Sequence, residues 1–121
     1  MNINIEEINS TLKTFAQERE WSHYHTPKNL AIALSIEASE LLEHFQWKEN
    51  ETSEEVKKDE MLMQGIKEEI ADVLIYLSRL ASILEIDLTT AVRNKFELNE
   101  KKYPVEVSKG KFVKYTQRDK S

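Results

Sequence analysis

The 121-residue sequence contains no cysteine, which excludes disulfide scaffolds, cysteine-ligated zinc, iron–sulfur clusters and thiol nucleophiles. Two glycines and two prolines are too few for an all-β protein made of many tight turns. Long apolar runs are missing as well. Nothing approaches the ~20 residues of a membrane span, and no basic segment leads into a hydrophobic stretch at the N-terminus, so a soluble, cytoplasmic protein with no membrane partner is expected. Positive charge is scarce in the body of the chain. Residues 105–121 carry Lys109, Lys111, Lys114, Arg118 and Lys120 against Glu106 and Asp119, a balance of +3, which leaves −8 of the net −5 on residues 1–104. An acidic body does not suit nucleic acid, which needs a basic face on the folded domain. It suits one that collects cations.

What is present reads as helix, because 32% charged and 40% hydrophobic residues fit amphipathic helices packed around the single core a chain of this size supports. Ile5, Ile8, Leu12 and Phe15 recur at helical spacing and predict a first helix to about Glu20, capped by Asn4 with Glu7 three residues on. Thr26 followed by Pro27 marks a second helix start, expected to run to about Trp47. Lys48 to Asp59 reads as the longest connection. Within it Thr52 and Glu55 form a capping box for a third helix to about Leu84, with a break possible at Gly65. Asp87 caps a fourth, which ends before Pro104. The fold class is therefore all-α, a four-helix-bundle-like protomer over residues 1–104, followed by an irregular basic tail over 105–121.

The acids on the second and third helices carry the chemistry. Leu30, Leu34, Leu41 and Phe45 cluster on one side of the second helix, with Glu37 in or beside them and Glu40 three residues on. On the third helix Glu69, Asp72 and Tyr76 run along the edge of an apolar stripe through Ile66, Ile70, Val73, Leu77, Leu80 and Leu84. Antiparallel packing would bring Glu37, Glu40, Glu69 and Asp72 to one level. Four carboxylates at one level repel, so a cation belongs among them, and oxygen-only ligands select Mg²⁺ or Mn²⁺. An isolated Glu-x-x-Glu is common on solvated helix faces; two such pairs, each bordering a core stripe, are less so.

Lys95, Asn99 and Lys102 share one face of the fourth helix and would suit phosphate oxygens, although lysines near a helix C-terminus also favour the macrodipole. Trp47 falls on the Glu40 side of the second helix, Tyr76 lies one turn beyond Asp72, and Trp21 and His25 precede the second helix. Aromatic rings beside a phosphate site suit base stacking, and they equally suit core packing.

The order Glu37-x-x-Glu40, 28 residues, Glu69-x-x-Asp72 resembles the signature of the all-α nucleoside triphosphate pyrophosphohydrolases, the MazG-like superfamily. FAQEREW, HTPKNLAIALSIEASELLEHFQWK, EEIADVLIYL and KYPVEVSKGKFVKYT resemble the dCTP pyrophosphatase branch, from about Phe15 to Thr116. The resemblance implies a Mg²⁺-dependent enzyme of nucleotide-pool sanitation that cuts a dNTP, dCTP or a related pyrimidine nucleotide, between the α and β phosphates. It implies that Glu37, Glu40, Glu69 and Asp72 hold the metal, that Trp21, Trp47 and Tyr76 line the base pocket with His25 nearby, and that Lys95 and Asn99, with Lys102, meet phosphates. One departure is Leu12, which stands where the animal enzymes place a base-facing histidine.

Two other classes compete. A di-iron carboxylate bundle needs two Glu-x-x-His pairs, and this sequence offers Glu20-x-x-His23 alone. A non-catalytic nucleotide or metal sensor would use the same ligands as the enzyme. The second helix also predicts assembly: Ile32 and Ile36 lie opposite the Leu34 stripe, with Ala31, Ala33 and Ala38 small enough for close approach, and a helix apolar nearly all round is normally buried all round. The resemblance points to a homotetramer, a dimer of dimers, in which the tail bearing Lys109, Lys111 and Tyr115 closes over a neighbour's nucleotide.

Overall fold

The computed structural model describes residues 2–49 and 51–110. All regular elements among them are helical. Helix α1 spans Ile5–Glu18, with Asn4 Oδ1 accepting from the Glu7 amide at 3.0 Å and Glu6 and Glu7 complementing the helix dipole. The chain reverses through Glu20 at φ 56° into a short 3₁₀ turn, Ser22–Tyr24. Helix α2, Pro27–Glu43, starts as the sequence predicts, with Thr26 Oγ1 accepting from the Asn29 amide.

Beyond this point the structure corrects the expected boundaries. Helix α2 stops at Glu43 rather than Trp47, because the amides of His44 and Phe45 bond three residues back, to Leu41 and Leu42, and tighten the last turn. The single helix expected from Thr52 to Leu84 is two. Thr52 caps a short α3, Ser53–Lys57, and Asp59 in extended conformation caps α4, Glu60–Ile83, through Oδ1 and the Leu62 amide. Asp59 competes with the backbone for that amide and so restarts the helix. Gly65 does not interrupt α4. Helix α5 spans Leu88–Lys102 under its Asp87 cap, and a one-turn α6, Val105–Ser108, stands where irregular chain was expected.

The chain divides into two compact units, residues 1–85 and 86–121. The fourth helix of the expected bundle, α5, belongs to the second unit with α6. In the first unit α2 packs along α4, and α1 and α3 pack on α4 as well. The buried side chains of the described residues lie here: Ala16 from α1, Leu30 from α2, and Leu62, Ile66, Ser78 and Ala81 from α4. Each buried leucine contributes about 1.5–3 kcal/mol.

The α2–α4 pair is antiparallel. At one end His25, just ahead of α2, meets Arg79 late in α4; at the other, His44 at the end of α2 meets Gly65 early in α4. Gly65 leaves room for that close approach: a Cβ at that position would meet the His44 ring, which would have to shift.

Candidate metal centre and the adjoining cleft

Leu30 and Leu62 are the buried leucines nearest the starts of α2 and α4. Seven residues on from each, two turns along the same face, stand Glu37 and Glu69. The helical repeat that buries the leucines therefore places two carboxylates in the seam between the helices, and antiparallel packing brings them together. Glu37, Glu40 and Glu69 each offer a carboxylate oxygen within 4.8 Å of the others, and all three residues are half-buried. Asp72 lies close enough for its charge to act on Glu37.

The electrostatics show the strain of that convergence. Burial pushes the Glu37 carboxyl up to about 7, with the carboxyls of Glu69 and Glu40 close enough to share its proton and the charges of Glu40 and Asp72 adding to the rise. The Tyr76 phenol is also raised, first by burial and then by the charges of Glu37, Asp72 and Glu40, so it stays protonated as a neutral hydrogen-bond donor beside the acids. The Oε2 atoms of Glu37 and Glu69 are buried and accept no hydrogen bond among the described residues. Buried carboxylate oxygens without donors cost several kcal/mol unless a cation takes them. An oxygen-only donor set of this density fits a hard divalent ion.

Beside the acids a cleft of about 760 Å³ opens between α1 and α4. Asp72 and Tyr76 form its α4 edge next to Leu74 and Ile75; Ile8, Thr11, Leu12 and Phe15 form its α1 wall; Trp21 closes one side. Trp21 stands edge-on to Phe15, ring centroids 5.8 Å apart, and the Arg19 guanidinium covers Phe15 3.5 Å from the ring centroid. The α1 residues, legible in the sequence as one apolar face, wall an open apolar slot, and Phe15 remains 42% exposed.

The other candidates are dispersed. Trp47 lies past the end of α2 and is 90% exposed. His25 receives a hydrogen bond on Nδ1 from Arg79 Nε at 3.3 Å, and burial followed by the Arg79 charge lowers its pKa. Lys95, Asn99 and Lys102 lie on α5, in the second unit. Of the expected tail residues, Lys109 follows α6, whereas Lys111 and Tyr115 lie outside the described residues. Arg79 was missed by sequence reasoning, although it stands three residues past Tyr76 on the line Glu69, Asp72, Tyr76.

The MazG-like family model matches residues 32–117, a span holding all four seam acids. The chain belongs to the MazG-like family. Among individual proteins, this MazG-like chain is 40% identical over 112 residues to dCTP pyrophosphatase 1 of Bos taurus and 37% identical over 113 residues to that of Homo sapiens. Each match covers 93% of the chain and 66% of the relative. A crystal structure of a pyrophosphatase from Archaeoglobus fulgidus superposes with a TM-score of 0.74 at 47% identity, over 86% of this chain and 95% of that one.

Proposed function

We propose that the chain is a divalent-metal-dependent nucleoside triphosphate pyrophosphatase, adding water across the α–β phosphoanhydride to release a nucleoside monophosphate and pyrophosphate. The carrying observation is the seam itself: Glu37, Glu40 and Glu69 converge between α2 and α4, and the buried Oε2 atoms of Glu37 and Glu69 have no donor among the described residues. The relatives named dCTP pyrophosphatase and pyrophosphatase support the reaction type. The substrate of this reading is dCTP or a related pyrimidine deoxynucleotide, and the ion is Mg²⁺, with Mn²⁺ able to replace it.

In this reading Glu37, Glu40, Glu69 and Asp72 hold the ion. When bound, it neutralises charge on the triphosphate and on the leaving pyrophosphate. Glu37, whose carboxyl burial raises to about 7, takes the proton of the attacking water. The apolar slot between α1 and α4 excludes water around the base, which stacks against Trp21. Tyr76, kept neutral, donates a hydrogen bond at the junction of slot and acids. Lys95, Asn99 and Lys102 meet phosphate oxygens, and Trp47 contributes to the base site of an assembled homotetramer. Assembly is supported by Ile32 and Ile36, which remain 47% and 51% exposed on the side of α2 turned away from its leucine stripe.

The test is incubation of the purified protein with dCTP and Mg²⁺ and chromatographic separation of products. The reading expects dCMP and pyrophosphate, and none without a divalent ion. Release of dCDP and orthophosphate would show that the wrong bond is cut. Tight nucleotide binding with no hydrolysis would favour a sensor.

A further inference from the structure

The segment from Trp21 to His25 is shaped by bonds among neighbours: the Trp21 amide to the Ala16 carbonyl at 2.8 Å, the Tyr24 amide to the Trp21 carbonyl, and the Asn29 side-chain amide to the Tyr24 carbonyl at 3.0 Å. Outside the acid cluster, the other side-chain hydrogen bonds within the described part of the first unit join residues at most five apart. The bond from Arg79 Nε to His25 Nδ1 joins residues 54 apart. It pins the segment that presents Trp21 to the cleft onto the helix that presents Asp72 and Tyr76.

The chemistry of that bond is directional. An arginine Nε–H can only donate, so Nδ1 of His25 carries no proton. A neutral ring then carries its proton on Nε2, and His25 offers one hydrogen-bond donor of fixed position. Arg79 is half-buried and is in no ion pair with a carboxylate among the described residues, so the histidine is the partner that holds it. Both burial and the Arg79 charge keep the ring neutral.

We infer that Arg79 is a positioning residue for nucleotide binding: by donating to His25 Nδ1 it fixes the His25 ring as the Nε2–H tautomer, ties the Trp21–His25 segment to α4 and so holds Trp21 at the cleft. The inference rests on the proposed nucleotide substrate for its kinetic consequence, and on the hydrogen bond alone for its structural one. Arg79 touches neither the acids nor the reacting phosphate in this account. Its loss weakens binding and leaves the chemical step in place.

The two parts are read separately. In ¹⁵N-resolved histidine spectra the wild-type chain gives His25 as the Nε2–H tautomer, and Arg79→Ala gives a tautomer mixture, whether or not the protein hydrolyses anything. An unchanged tautomer in a folded Arg79→Ala chain overturns the inference. In dCTP hydrolysis Arg79→Ala raises KM about tenfold, the scale of a lost charge-assisted hydrogen bond, with kcat within about twofold. The double variant Arg79→Ala/His25→Ala is no worse than the worse single, since both remove one interaction; multiplicative losses would show Arg79 acting independently. Arg79→Lys, which keeps charge and packing if the alanine variant fails to fold, restores part of KM. A fall in kcat with KM unchanged would place Arg79 on the reacting phosphates instead. Absence of hydrolysis by the wild type, with the tautomer change intact, would refute the enzymatic reading and not the Arg79–His25 clip.

Discussion

Along the seam between α2 and α4 one helical repeat carries opposite chemistry. Leu30 and Leu62 lie toward opposite ends of the antiparallel pair, near the starts of α2 and α4, and Glu37 and Glu69, seven residues further along each helix, meet between them. The leucines are buried and satisfied by contact with carbon. The glutamates are half-buried with an orphaned oxygen each. Helical geometry therefore does not distinguish structure from function here; the side chain placed on the repeat does. The leucines stabilise the chain by burial, whereas the converging glutamates repel one another.

The largest expected effect breaks the acidic level. Glu69→Gln or Glu40→Gln removes a charge at nearly constant volume and lowers turnover about a hundredfold or more, the scale of losing a positioned charge-stabilising group. The melting temperature of the metal-free protein should not fall, because the lost carboxylate was repelled by its neighbours. The leucines should respond the other way. Leu30→Ala costs about 2–5 kcal/mol of stability, measurable by denaturant titration, and any activity lost should return when the chain is kept folded.

The acidic level also sets a pH dependence. The Glu37 carboxyl titrates at about 7 when folded and near the ordinary 4.5 when unfolded. The folded state thus binds more protons between these values, and the stability of the metal-free chain falls as pH rises from about 4.5 through 7. Glu37→Gln should flatten that slope. His25 acts oppositely, its folded pKa lying below 6.5, so His25→Ala should make the decline with rising pH steeper.

A smaller effect separates the two tryptophans. Stacking on an aromatic ring is worth about 1–3 kcal/mol, so Trp21→Ala should raise KM roughly tenfold. Trp47 is 90% exposed past the end of α2, so the proposed assembly predicts a comparable KM loss for Trp47→Ala together with light scattering at four times 14.2 kDa; a much smaller loss would confine the base to one chain's cleft.

The helices and the acids were legible in the sequence for local reasons: Asn4, Thr26, Thr52 and Asp87 cap where hydroxyl, amide or carboxyl side chains precede apolar periodicity, and period alone puts Glu37 and Glu69 with the leucine stripes. The boundary at Asp59 was missed because the Thr52 capping box already explained a helix start, and nothing in periodicity marks a second cap seven residues later. Periodicity put Leu12 and Phe15 on one apolar face without saying what covers it, because such a stripe looks the same whether its partner is a helix or an open slot. The Arg79–His25 bond links positions 54 apart, which no local pattern reports. Gly65, read as a weak point of its helix, is the gap that admits His44.

The central claim is that the glutamate level of the seam is built for a divalent cation, and its most direct test is the melting temperature at pH 8 with and without Mg²⁺. The account predicts that Mg²⁺ raises it in the wild type, by an amount that grows with concentration as ligand linkage requires, and leaves Glu69→Gln nearly unmoved. A wild-type melting temperature indifferent to Mg²⁺ and Mn²⁺, or an equal rise in Glu69→Gln, would contradict it.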